Sequence, residues 1–416
     1  MTGTERKTVH GIVVMKFGGT SLATPELRAA AAERVAERVT AQVRPVVVVS
    51  AMGRRGEPYA TDTLLGLLED LLPVAPRERD ALVSCGEEIS AVVFAGLLTR
   101  RGLPATSLRG FQAGIITDAR HQEACITEIR PARIQACLAA GHIPVVAGFQ
   151  GISADGEITT LGRGGSDTTA VAVGVALAAE RVEIYTDVDG VLTADPRIVP
   201  GAGRVAQATL EEAAELAYKG ADVLHPRAAE LARKAGVPVE IRDTRVPPTA
   251  AGTVLVPAGE HPARREGGRC AVAVTSRAGI AQVAVEGVDF LEHPAELEGL
   301  FARFAAAGIT LDMMSIAPDR VAVTLEARFV EEVRRVLAGL GGSLRVRERC
   351  ARVTLVGGGI HGVPGVMHRI VGALARAGIG VYQSVDSNMV IGVLVDTAQE
   401  HAAVRAVHAE FFESRD

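Results

Sequence analysis

Apolar residues in the N-terminal part of the chain fall into short β-branched runs separated by longer Ala- and Leu-rich stretches: GIVVMKF, PELRAAAAERVAERVT, PVVVVSA, and later PVVAGFQG and RVEIYTD. The short runs lack the period-two alternation of a half-solvated strand, which predicts strands buried on both faces, and the longer ones suit covering helices. The alternation predicts an α/β fold on a mainly parallel sheet, with ligands held where glycines follow strand ends.

Residues 246–269, VPPTAAGTVLVPAGEHPARREGGR, break the alternation with Pro, Gly and charge. A linker is therefore expected at 247–269, between a catalytic domain at 10–246 and a smaller C-terminal region. That region repeats itself. From Ala351 it reads strand, helix, strand, strand, helix, with nothing left for a last strand, and residues 281–346 give the same order closed by a short SLRVR strand. Two βαββαβ units are expected, 270–346 and 347–416, with the spare strand CAVAVTS (270–276) completing the edge of the second.

At 416 residues, 48% hydrophobic and 22% charged, the chain is long enough for two or three cores, and with aromatics at 3% and no Trp those cores are built from Ala, Val, Leu and Gly. The formal charge of -5 argues against a nucleic-acid partner. No apolar run reaches a membrane span and the opening residues do not read as a secretory signal, so a cytoplasmic protein is expected. Five cysteines (Cys85, Cys125, Cys137, Cys270, Cys350) are scattered without metal-ligand spacing. They read as reduced thiols, and no protein metal site is expected.

The motifs at strand ends carry charge on bare backbone. MKFGGTS (15–21) closes the first strand with Lys16 and two glycines ahead of a helix expected near Pro25. Such a turn is either a plain strand-to-helix connection or an anion cradle of backbone N–H groups beside one ammonium; its lysine precedes the glycines, so it is not a Walker loop. TTLGRGGSD (159–167) adds Arg163, Ser166 and Asp167 at a helix start. Arg163 can clamp a carboxylate and Asp167 can orient Lys16 or a metal-bound nucleotide, or the two can be a solvated charge and a helix cap. YTDVDGVLTADPR (185–197) can grip an adenosine with Arg197 reaching its phosphates, or form a plain hairpin; a cation loop at Asp187 and Asp189 lacks the closing glutamate. Ser50, Thr61 and Glu87 are polar groups bordered by apolar helix, and Glu87 can receive an ammonium or sit as a surface carboxylate.

In this order KFGGTS, SAMGR, CGEEIS, AGFQG, TTLGRGGSDTTA, YTDVDGVLTADPR and VLHPRA resemble the aspartokinases of the amino-acid kinase fold over nearly the whole chain. The tail GVPGVMHRIVGALARAGIGVYQSVDS resembles their tandem ACT regulatory region, and GRRGEPYATDTLLGLL and GITLDMMSIAP are most similar to the diaminopimelate-sensitive aspartokinases of spore-forming Bacilli. The resemblance implies phosphorylation of the L-aspartate side-chain carboxylate by ATP with Mg2+, the metal held mainly by the nucleotide. The product is 4-phospho-L-aspartate, the first intermediate towards lysine, diaminopimelate, threonine and methionine.

It implies Lys16 and Asp167 as catalytic residues, Lys16 bridging the β- and γ-phosphates and Asp167 orienting it. The implied nucleotide set is Lys16, Phe17, Gly18, Gly19, Thr186, Asp187, Arg197 and Asp222. The implied substrate set is Thr20, Ser50, Thr61, Glu87, Arg163, Gly164 and Ser166, with Arg163 on the carboxylate and Glu87 on the ammonium group. For the ACT units it implies a homodimer and a feedback amino acid, meso-diaminopimelate, at Asp312, Met313, Val363, Gly365, Gln383 and Asn388.

Several positions depart from the family. Relatives usually carry Gly-Ala-Lys before VLHPRA; Asp222 stands at the lysine here, so nucleotide affinity is expected to fall by on the order of 1 kcal/mol unless Lys219 compensates. Glu88 stands where many relatives have arginine. The turn EHPAE lacks Pro-Gly and Ile316 replaces a glutamine of lysine-binding relatives, so the first effector site is expected to be altered or empty. Two other readings remain: a kinase of this fold acting on glutamate, acetylglutamate, carbamate or a nucleotide, and a regulatory subunit with an inactive kinase half. RGGSD beside an ACT pair weighs against the first, and the presence of Lys16, Gly18, Gly19, Arg163, Asp167 and Arg197 against the second.

Overall fold

The computed structural model describes residues 11–413 except 42, 72, 221–223, 248–251, 259–270, 340 and 361–362. Asp222, Cys270 and part of the expected linker lie outside the described residues. Two compact units result. The first takes the chain up to Val191, Arg204–Ala217 and the stretch leading to Val256; the second takes Leu192–Gly203, the turn at Tyr218–Gly220 and the chain beyond residue 270.

The N-terminal elements run β1 (Ile12–Phe17), α1 (Pro25–Thr40), β2 (Arg44–Val49), α2 (Thr61–Gly66), α3 (Pro76–Arg100), β3 (Ala105–Leu108), β4 (Ile115–Thr117), β5 (Ile126–Ile129), α4 (Ala132–Ala139), β6 (Ile143–Ala147), β7 (Gln150–Ile152), β8 (Ile158–Thr160), α5 (Gly165–Ala176), β9 (Arg181–Thr186), β10 (Gln207–Thr209), α6 (Leu210–Lys219), α7 (Pro226–Ala235), β11 (Val239–Asp243) and β12 (Thr253–Val256). The main sheet has the order β10-β12-β11-β9-β1-β2-β6-β3 and is parallel except where β12 runs against β11. Central β1 pairs in parallel with β2 and β9. Val46 to Val49 are fully buried, as a run of valines without alternation requires in a sheet covered on both faces. Thr24 accepts a hydrogen bond from the Leu27 N–H with Pro25 at the first helical position, which starts α1 right after the Lys16 turn. A second sheet, β5-β4-β7-β8, ends at Thr160 and delivers the chain to the 161–167 turn.

Two sequence expectations are corrected in this unit. Residues 247–269 are not all linker: TVLV at 253–256 is β12, paired with β10 and β11, a short β-branched run hidden among Pro and Gly. Among the described residues α3 is the one helix long and apolar enough to cross a membrane. Interleaved Ser84, Glu87, Glu88 and Ser90 kept it from reading as an apolar run. Ten of its residues, Asp80 and Glu87 among them, are buried in this unit.

The second unit contains β13 (Ala273–Glu286), α8 (Pro294–Ala306), β14 (Met314–Ala317), β15 (Arg320–Glu326), α9 (Val330–Val336), β16 (Ser343–Val356), α10 (Val366–Arg376), β17 (Gln383–Asp386), β18 (Val390–Asp396) and α11 (Glu400–Phe412). One six-stranded sheet, β14-β15-β13-β16-β18-β17, serves both βαββαβ copies. The expected spare strand and the first strand of the first copy are one continuous β13. Its Ala273–Arg277 half pairs with Arg352–Val356 of the second copy and its Gln282–Glu286 half with Ser343–Arg347 of the first, across an irregularity at Arg277–Gln282. Likewise SLRVR and ARVTLV are one strand, β16. Each copy thus fills its own core: Ala281, Val283, Leu300 and Phe304 in one, Ala351, Val353, Ile370 and Leu374 in the other.

Candidate active site

A cavity of about 1010 Å³ opens over the carboxyl ends of the central parallel strands, the position where such sheets hold ligands. Lys16 lies one residue before the end of β1, and Gly19 follows in the turn. A Cβ on Gly19 would come within 2.5 Å of the Ala51 carbonyl oxygen, and the Gly53 N–H donates to Gly19 O at 3.0 Å. Only glycine lets the SAMG turn close on the Lys16 turn in this way.

At the opposite wall, Gly164 takes φ +67° before the first turn of α5, where a Cβ would collide with His225. Asp167, three residues on, is not the helix cap; its Oδ1 sits 2.7 Å from Lys16 Nζ. Its Oδ2 accepts the His225 N–H at 3.4 Å. The pair is nearly buried, its side chains 12% and 13% exposed, so the Lys16 ammonium is fixed in direction. Arg163 projects from the same turn, exposed and without an ion-pair partner among the described residues. Ser50, Thr61, Gly164 and Ser166 also line the cavity.

Glu87 enters the cavity from α3. One oxygen accepts the Ala51 N–H at 3.0 Å, while the other is buried with no partner. Burial pushes its carboxyl up to about 8, against the lowering effect of the Ala51 N–H. A buried acid with one empty lone-pair face is suited to an arriving ammonium group. Glu88, one residue on, pairs with Arg109 at 2.9 Å.

Other predicted residues fall elsewhere. Phe17 points into the core, fully buried and stacked on Tyr185 at 4.7 Å between ring centroids, so its side chain cannot meet a nucleotide. The Gly18 N–H is spent on Tyr185 O at 3.2 Å rather than left open to a phosphate. Thr20, Thr186 and Asp187 line a smaller recess of about 340 Å³, with Arg54 bordering both spaces and bonded to Asp187 at 2.6 Å. Arg197 belongs to the second unit, where Asp195 engages its guanidinium at 2.6 Å. Asp80, Gln122, Phe149, His225 and Arg227 line the cavity without having been singled out as site residues. Asp80 stands seven residues before Glu87 on one helical face, a spacing that gives the shared face but not the bonds that place it behind the cavity. Phe149, at φ 68°, carries no such signal.

In the second unit, Asp312 is ion-paired with the buried Arg352 and lies 3.8 Å from Lys219. Lys219 thus lies beside Asp312 in the second unit. Met313 is fully buried against Ile280, Cys350 and Leu394, which makes it core rather than an effector contact. Gln383 accepts from Gln282 at 2.9 Å and keeps its Nε2 buried without a partner. Gly365 precedes α10 at φ 88°, Val363 is exposed in the turn before it, and Asn388 is exposed between β17 and β18. Among the described residues no group of three or more His, Cys, Asp or Glu side chains is placed to hold a metal ion.

This architecture matches the amino acid kinase family over residues 11–243 and an ACT domain over residues 353–411. Aspartokinase 1 of Bacillus subtilis is 42% identical over 96% of this chain and 98% of its own length, and the aspartokinase of Geobacillus stearothermophilus is 37% identical over 96% and 97%. The crystal structure of E. coli aspartokinase III with aspartate and ADP superposes with a TM-score of 0.79 at 27% identity, covering 97% of this chain and all of the other. The chain therefore belongs to the aspartokinases of the amino acid kinase family.

Proposed function

We propose that the chain transfers the γ-phosphoryl group of MgATP to the side-chain carboxylate of L-aspartate, giving 4-phospho-L-aspartate and ADP. One observation carries this reading: the Lys16–Asp167 pair, the half-bonded buried Glu87 and Arg163, which has no ion-pair partner among the described residues, share one cavity. Both reactants are anions, and phosphoryl transfer asks chiefly for in-line placement and cancelled charge. Arg163 takes the α-carboxylate and Glu87 the α-ammonium, which leaves the side-chain carboxylate as the free nucleophile. Lys16, steered by Asp167, neutralises the phosphates as charge moves between the oxygens. Mg2+ would be held mainly by the nucleotide and would add to the cancellation of phosphate charge that Lys16 supplies. The recess at Thr186 and Asp187 takes the adenosine end. The relative solved with aspartate and ADP supports this pair of ligands.

The ACT units serve feedback in this reading, within a cytoplasmic homodimer, with meso-diaminopimelate as the effector and a pathway leading to lysine, threonine and methionine. An aspartokinase solved with lysine and aspartate, 27% identical, supports an amino-acid effector. Trapping the acyl phosphate with hydroxylamine tests the chemistry: hydroxamate should form with L-aspartate, and formation with L-glutamate alone would sink the assignment. Titration of that activity with diaminopimelate, lysine and threonine should show inhibition by the first.

A further inference from the structure

Asp80, on α3, has no role in the reaction as described, yet it is fully buried behind the cavity and is one of its most heavily bonded side chains. Its carboxyl oxygens accept the Thr160 Oγ1–H at 2.7 Å, the Thr160 N–H at 3.0 Å, and the Gln122 N–H at 3.0 and 3.1 Å. His121 Nδ1 lies 2.9 Å away. The two segments it grips are also tied to each other, the Ala124 N–H donating to Thr160 O at 2.9 Å. A buried carboxyl is costly unless such donors surround it, and removing it would strand several of them at once.

What Asp80 joins is more telling than how well it is bonded. α3 carries Glu87 two turns further on, at i+7 and so on the same face. Thr160 ends β8 three residues before Arg163. Between them, the Leu161 N–H bonds to Phe149 O and Leu161 O accepts from Arg227 Nη1, each at 2.9 Å. Gly162 is packed so closely that a Cβ would stand 2.9 Å from Gln122 O. Asp80 is therefore the direct tie between the helix that presents the ammonium-binding acid and the strand end that presents the carboxylate-binding guanidinium.

We infer that Asp80 is a positioning residue that sets the separation of Glu87 and Arg163, and with it the affinity and length selectivity for the amino-acid substrate. The inference rests on the proposed placement of that substrate between those two side chains. It does not involve the nucleotide end, whose lysine is held by Asp167.

The test compares wild type with Asp80→Asn, which keeps the shape but loses the charge, and Thr160→Val, which removes only the hydroxyl donor. Calorimetric binding of L-aspartate without nucleotide is measured beside KM for aspartate, KM for ATP, kcat and the thermal midpoint. Asp80→Asn should weaken aspartate binding and raise its KM about tenfold, with KM for ATP within twofold, and should narrow the preference for aspartate over glutamate. Thr160→Val should shift the same constants in the same direction by about threefold. Equal rises in both KM values, or a fall in kcat alone, would mark general loosening and overturn the inference. Should Asp80→Asn not fold, Thr160→Val decides. Wild type that binds no aspartate removes this inference together with the proposed function; active wild type with unshifted variants removes this inference only.

Discussion

In the N-terminal cavity Arg163 has no ion-pair partner among the described residues and Glu87 keeps one oxygen buried and unbonded. In the C-terminal sheet Asp312 is held by Arg352 and Lys219, although Gln383 keeps one amide nitrogen open. An unsatisfied buried polar group costs about 1–3 kcal/mol, a cost that an arriving ligand carrying the complementary group relieves. A satisfied ion pair must instead be broken before a ligand can use either half. The difference teaches that the N-terminal cavity is built open to incoming charged groups, while Asp312 of the first ACT copy is closed by Arg352 of the second and Gln383 retains a donor.

The largest expected effect breaks or confirms the cavity half of this contrast. Lys16→Ala should lower kcat about 10²–10³-fold, because the ammonium directed by Asp167 is lost where transferring charge must be balanced. A loss below tenfold in the hydroxamate assay would mean that the open cavity is not where transfer happens.

A smaller effect follows from Glu87. Burial holds its carboxyl at about 8, so in the empty site it is mostly protonated at neutral pH, and pairing with an ammonium requires the proton to leave. Below about 8, each unit of falling pH should therefore weaken aspartate binding up to about tenfold, and above it the dependence should flatten. KM for aspartate measured from pH 6.5 to 8.5 should drop and level off, and Glu87→Gln should abolish the dependence while keeping KM high. A KM that rises with pH over that range would show that the empty face of Glu87 does not meet the ammonium group.

The ease of reading the two regions from sequence differs for a related reason. Valine runs, glycine turns and strand-to-helix order reflect local backbone needs, so the parallel sheet, the Lys16 turn and the Arg163 turn were legible. Asp80 was not, because its value lies in bonds to Thr160, Gln122 and His121, 41 to 80 positions away. Phe17 follows Lys16 immediately, and because neighbouring side chains in a strand point to opposite faces, its ring packs in the core while Lys16 faces the cavity. Periodicity could not show that β13 and β16 are single strands serving two copies, because each half looks complete within its own βαββαβ order.

The smallest effect sharpens the ACT half. Arg352 is 3% exposed, whereas its partner Asp312 is 39% exposed, so solvent screens part of the attraction and the pair contributes less than a fully buried one. Asp312→Asn keeps an acceptor oxygen beside the guanidinium but removes the charge, and should lower unfolding stability by about 1 kcal/mol while leaving aspartate turnover in the absence of effector near wild type. If diaminopimelate acts through the second copy, its inhibition should survive this substitution. If the effector must open the Asp312–Arg352 pair, the half-maximal concentration should fall instead, because the cost of separating the two groups has already been removed. Inhibition curves for wild type and Asp312→Asn, set beside denaturant midpoints for both, distinguish a turn that is closed for structural reasons from one that is a latched effector site.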